Sequence, residues 1–149
     1  MTVEIYQNYE PIKMKQIFSK IDADKLLHII NRCNEIVERT NVAPDNQFLQ
    51  LATLRLKKGV KFRPHQHIWK PSPTENIIAQ ESWVVIQGSV KVYMYDIDGT
   101  LLETEIINKG DCSMTFEGGH TYEILEEDTI VYEYKTGPYL GIENDKKFL

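Results

Sequence analysis

The spacing of apolar residues changes period once along the chain, near Gln47. Before it, Leu26, Ile29, Ile30, Cys33, Ile36 and Val37 recur at helical intervals, which predicts an amphipathic helix. Asp22 stands where an N-cap carboxylate would meet the first turn. His28 falls off the apolar stripe and reads as a solvated surface residue. Residues 1–20, interrupted by Pro11, read as a short strand or extended arm, and Asn41 to Asn46, with Pro44, as a loop.

After Gln47 the period shortens to that of strands. Phe48 to Leu56 alternates and is ended by Lys57-Lys58-Gly59. A further extended piece carries Phe62 to His67. Trp69 to Pro73 holds two prolines and reads as a loop or edge, because proline donates nothing to a sheet ladder. β-rich stretches flank Gly88, Asp96-Ile97-Asp98-Gly99 predicts a hairpin turn, and Leu101 to Ile107 predicts another strand. Three more follow at Cys112 to Phe116, Thr121 to Glu126 and Thr129 to Lys135, with Gly118-Gly119 bending the chain before His120. Many short strands between regular turns predict an all-β antiparallel barrel or jelly roll, with the helix packed outside.

Length and charge narrow the function classes. A chain of 149 residues suits one domain, divided into arm and helix (1–45), barrel (47–136) and tail (137–149). The net charge of −5 and the lack of a basic stripe argue against nucleic acid as a partner. No apolar run approaches the ~20 residues of a membrane span. Met1-Thr2-Val3-Glu4-Ile5 lacks the basic-then-apolar pattern of a signal peptide. Cys33 and Cys112 suggest no disulfide framework and read as small hydrophobes, so a reduced, cytoplasmic protein is expected.

The chemistry concentrates in three of the four histidines. His65 and His67, at i and i+2 on an extended segment, point to one side of a sheet. Two imidazoles leave a divalent metal short of ligands, and Glu81 and His120 are the candidates to complete the set. Such donors suit a transition metal: Fe, Zn, Ni or Mn.

Gly59-x5-His65-x-His67, Glu81-x6-Gly88 and the later Gly110…Gly119-His120 together resemble the two motifs of the cupin superfamily, over roughly Leu51 to Tyr134. The resemblance implies a jelly-roll barrel with one divalent metal in its mouth. Two departures stand out. Thirteen residues separate His67 from Glu81, more than is usual, and this insert supplies a rival carboxylate, Glu75. Glu81 is favoured because it keeps the step to Gly88. The second motif has Phe116 where proline is common, with one residue fewer before His120. A more local resemblance joins Pro64-His65-Gln66-His67 to Val131 through Tyr139 and Asp145-Lys146. It is to small single-domain bacterial cupins of the WbuC type, which implies metal binding and a part in carbohydrate metabolism. Many cupins dimerise through arms or edge strands, so a homodimer is expected.

Other residues are candidates for work around the metal. Glu133 and Lys135 share a face, which the local resemblance makes the inner one, although Tyr132 and Tyr134 could fill a barrel equally well. Glu133 is the nearest candidate partner for an inward Lys135. Tyr122 shares the His120 face as a candidate acid or hydrogen-bond donor. Trp83 shares the Glu81 face, and Arg63 could meet an anion at the mouth. Trp69 and Lys70, on the insert, could form a lid or a dimer contact. No nucleophile elbow, P-loop or dinucleotide-binding glycine pattern competes. The expected function is action on a small polar or anionic ligand such as a sugar or sugar-derived acid, by isomerase- or dioxygenase-type chemistry. A non-catalytic ligand-binding cupin and a metal-free sugar isomerase or epimerase are the alternatives.

Overall fold

A computed structural model describes residues 14–149. The chain divides into two units, Met1–Glu35 and Ile36–Leu149.

In the first unit, β1 (Lys15–Phe18) pairs antiparallel with β2 (Leu26–Ile30), and a short 3-10 turn follows at Cys33–Glu35. The helix expected from Asp22 to Val37 is therefore not formed. Leu26-Leu27-His28-Ile29-Ile30 is too short to separate a helical period from a strand, and β-branched Ile29 and Ile30 favour extended backbone. Lys15–Phe18 then supplies a ladder, with Lys15 opposite Ile30. Asp22 caps nothing: its carbonyl accepts from the Lys25 N–H at 3.0 Å inside the connecting turn. Most of the arm expected over residues 1–20 lies outside the described residues, and its described end forms β1.

The second unit is built from two five-stranded antiparallel sheets. One contains, in spatial order, β3 (Thr40–Asn41), β4 (Leu49–Leu56), β11 (Thr129–Thr136), β6 (Glu81–Gln87) and β9 (Cys112–Thr115). The other runs β12 (Lys146–Phe148), β5 (His65–His67), β10 (Gly119–Ile124), β7 (Ser89–Tyr95) and β8 (Leu101–Asn108). The sheets thus reach beyond residues 47–136, because β3 adds to one edge and β12 to the other. β12 is announced only weakly by a Lys-Lys-Phe sequence, and its place comes from pairing with β5.

Registers decide what faces inward. β11 sets Val131, Glu133 and Lys135 opposite Val85, Trp83 and Glu81 of β6, and opposite Leu54, Ala52 and Gln50 of β4. β10 sets His120, Tyr122 and Ile124 opposite Met94, Val92 and Val90 of β7. Leu54, Trp83, Val85 and Val131 from one sheet and Val90, Val92, Tyr122 and Ile124 from the other form one core. Each of these side chains is at most 2% exposed.

Gly88 turns the chain from β6 in one sheet to β7 in the other within a single residue. Its φ is +87°, and a Cβ there would lie 2.3 Å from Thr129 Oγ1. Both the dihedral and the space exclude a side chain. Cys33 and Cys112 are both exposed, which corrects their reading as buried hydrophobes. Alternation along β9, an edge strand, turns Cys112 outward while Ser113 faces the barrel.

Gly88→Ala is expected to destabilise the barrel by about 1–3 kcal/mol or more, through positive-φ strain and the clash with Thr129. A lowered urea midpoint with unchanged slope is the expected result.

Candidate metal centre

β5 has three residues, so its first and last share a face and both are histidines. β10 lies antiparallel beside it, with His120 directly opposite His65. Glu81 opens β6 in the other sheet and faces them across the barrel. One candidate ligand atom from each of His65, His67, Glu81 and His120 lies within 4.8 Å of the others, and all four residues are buried. His67 Nε2 is 2.9 Å from Glu81 Oε2. His120 Nε2 is 3.2 Å from His65 Nε2 and 3.5 Å from Glu81 Oε1.

The other ring nitrogens turn outward onto separate partners. His65 Nδ1 meets the Arg63 carbonyl at 3.2 Å, His67 Nδ1 the Asp145 carbonyl at 3.3 Å, and His120 Nδ1 the Thr115 hydroxyl at 2.8 Å. A carbonyl only accepts, so His65 and His67 carry a proton on Nδ1. When neutral, both rings then aim an Nε2 lone pair at the centre, as metal-ligating histidines do. Lone pairs and a carboxylate gathered in a buried space need a cation among them.

The charge states follow the same logic. Burial, with His120 beside it, pushes His65 down to about 4. Burial also opposes charge on His67, but Asp145 and Glu81 outweigh it and hold that ring up at about 9. Glu81 is held down at about 2 because hydrogen bonding from His67 and the nearby His120 ring outweigh its burial. Burial lowers His120 and raises Tyr122. Without a metal, the protonated His67 ring, hydrogen-bonded to the Glu81 carboxylate, is thus the cation of the site. Three imidazole nitrogens and one carboxylate fit a divalent transition metal in its place.

A cavity of about 280 Å³ opens beside these groups. His65 and Glu81 form part of its wall, together with Trp83, Tyr122, Glu133 and Lys135. Trp83 and Tyr122 stack with ring centroids 3.8 Å apart, and Phe62 meets Trp83 edge-on at 5.5 Å, so one wall is a rigid aromatic surface.

Among solved structures, the Schizosaccharomyces pombe Cnp3 cupin domain is 11% identical over 86% of this chain and 88% of its own, with a TM-score of 0.55. The fold is a cupin fold. KdgF from a Halomonas species is 22% identical over 66% of this chain and 76% of its own, at TM-score 0.52. A mutant of Bacillus subtilis oxalate decarboxylase OxdC is 22% identical over 74% of this chain but only 27% of its own, at 0.55. No protein-family model and no curated protein matches the sequence.

Within the cupin barrel some expected residues gather and others do not. Glu75 is exposed in the insert, where its backbone is tied to the Ser72 hydroxyl, so it is not part of the four-residue group. None of the insert Ile68 to Gln80 lines the main cavity; Trp69 is exposed and donates to Glu117 at 3.0 Å, and buried Lys70 donates to the Pro138 carbonyl. Arg63 is exposed and stacks on Phe148, with Cζ 4.2 Å from the ring centre, rather than facing the cavity. The Phe148 ring is there because β12 docks on β5, which no local pattern around Arg63 foretells. Lys135 does reach the cavity wall, but its partner is Asp145, at 3.1 Å, and not Glu133. Glu133 instead accepts from Arg39 at 2.9 Å and from the Trp83 indole at 3.0 Å. Arg39, Asp145 and cavity-lining Lys146 carried no signal of their own beyond the place of Asp145-Lys146 in the C-terminal stretch.

Replacing His65 or His67 with Ala is expected to remove most bound metal, at least tenfold in stoichiometry at fixed concentration, and to leave a folded barrel. Glu75→Gln should leave metal content unchanged. Elemental analysis of protein purified without an affinity tag checks both, and stoichiometric metal in the His65, His67 double variant would contradict the ligand set.

Proposed function

We propose that this chain is a metal-dependent enzyme acting on a small, oxygen-rich anionic metabolite, with a sugar-derived acid as the favoured class. Isomerase- or dioxygenase-type chemistry suits the site. The observation that supports this reading is that His65 and Glu81 belong both to the four-residue donor group and to the cavity wall. A ligand in the cavity would therefore reach the metal directly. A bound divalent metal would polarise a substrate oxygen as a Lewis acid or supply redox chemistry toward dioxygen.

The chain's own groups provide the rest. Arg39, Lys135 and Lys146 line the cavity and give it three cationic side chains for a carboxylate or phosphate. Glu133, oriented by Arg39 and Trp83, presents a fixed carboxylate to take or return a proton. Tyr122, buried with its pKa raised, keeps its proton and serves as a hydrogen-bond donor. The Trp83 face offers an apolar surface for a carbon skeleton.

A second reading, a metal-free sugar isomerase or epimerase, rests on the 2.9 Å His67–Glu81 contact, which forms an acid–base couple by itself. Chelation separates the two. Turnover of a panel of aldonic, uronic and keto acids, followed by NMR, should vanish on metal removal and return with one divalent metal. Turnover that survives chelation supports the second reading. Saturable binding with no conversion would make the chain a ligand-binding module.

Arg39 gives the cleaner test of anion recognition. Its side chain is 48% exposed, so Arg39→Gln should change stability by less than about 1 kcal/mol. It should weaken an anionic ligand roughly tenfold, read by isothermal titration calorimetry. Lys135→Met should instead cost up to about 3 kcal/mol of stability, because it leaves the buried Asp145 carboxylate with only the His67 ring as a partner.

A further inference from the structure

We infer that Asp145 is a positioning residue for the metal site, holding the His67 ring in the ligating tautomer from outside the ligand set. The inference rests on the reading of His67 as a ligand and adds a residue that takes no part in binding metal or substrate.

The geometry is that of a buried junction. Asp145 is 2% exposed. Its carbonyl accepts from the Ile68 N–H at 3.0 Å and from His67 Nδ1 at 3.3 Å. Its carboxylate Oδ2 stands 3.5 Å from the same Nδ1 and 3.1 Å from Lys135 Nζ. The backbone of Asp145 is fixed from both sides. It closes the 3-10 turn Ile142–Asn144, donating its N–H to the Ile142 carbonyl at 3.1 Å, and it leads into β12, whose Lys146 lies opposite His67.

Two oxygens of one residue therefore face the nitrogen of His67 that points away from the centre. They keep a proton on Nδ1, so Nε2, which faces Glu81 at 2.9 Å, is the nitrogen that a metal would take. A carboxylate beside the N–H also raises the basicity of the far nitrogen, the usual contribution of an outer carboxylate to a metal-bound histidine. Lys135 balances the buried charge, which lets the carboxylate stay ionised there.

Zn(II) affinity, measured by competition with a chromophoric chelator, tests this in the full chain. Asp145→Asn should weaken Zn(II) about 10–100-fold. Asp45→Asn, which removes a carboxylate from the cavity wall, should stay within about threefold. In the Zn(II)-loaded wild type, 15N-resolved imidazole spectra should show His67 bound through Nε2, with a slowly exchanging Nδ1 proton that Asp145→Asn makes exchange faster. This wild-type readout needs no variant, so it decides the matter even if Asp145→Asn does not fold. Equal affinities for wild type and Asp145→Asn, or a His67 bound through Nδ1, would overturn the inference alone. A wild-type chain that takes up no Zn(II) would overturn it together with the reading of the site.

Discussion

The antiparallel pairing of β5 with β10 is what the site depends on, because it sets His120 directly across from His65. One step of register would move His120 to the outer face and break the group of four, since strand side chains alternate. The pairing is short, and β5 is held in place by a second neighbour, β12, which pairs all three of its residues. The site thus has its most important strand clamped from both sides, with the C-terminal segment as one half of the clamp.

Charge inside this barrel is tolerated because it is matched. Glu133 with Arg39, Lys135 with Asp145, and Glu81 with His67 each place a buried or half-buried charge within 3.1 Å of a partner. The two buried pairs, Lys135 with Asp145 and Glu81 with His67, add little net stability but are costly to break one-sidedly, whereas half-exposed Arg39 is cheap to remove. Their value here is positional. Each fixes a polar group at the cavity wall where packing alone would favour an apolar side chain, and together they keep the cavity polar above a core of valine, leucine, isoleucine and stacked aromatics.

Fold and function stand on different footing. Solved structures at 11–22% identity share the barrel, and a barrel of this kind hosts unrelated chemistries. What is particular to this chain is its site, a donor group beside a cavity lined by Arg39, Glu133, Lys135 and Lys146. The insert between His67 and Glu81, whose position in the chain suggests a lid, contributes no residue to the cavity wall.

What the sequence determined by itself was local. Period-two alternation identifies most barrel strands, and the His-x-His pair declares a shared face because that geometry needs only one strand. The spacing from Glu81 to Gly88 selects the carboxylate, and the structure gives the reason: Gly88 occupies a positive-φ corner with no room for a Cβ. The helix misread at Asp22 to Val37 shows where local reasoning fails. Its short apolar run satisfies both periods, and the choice went to the strand because Lys15–Phe18 offered a ladder. Tertiary structure alone decided the rest. Arg63 is drawn to Phe148 and Lys135 to Asp145, each by a partner from the C-terminal segment. Arg39 reaches the cavity wall through Glu133, 94 residues away in sequence. Contacts of this kind leave no periodic trace, because they follow from which segments lie side by side and not from what either segment is made of.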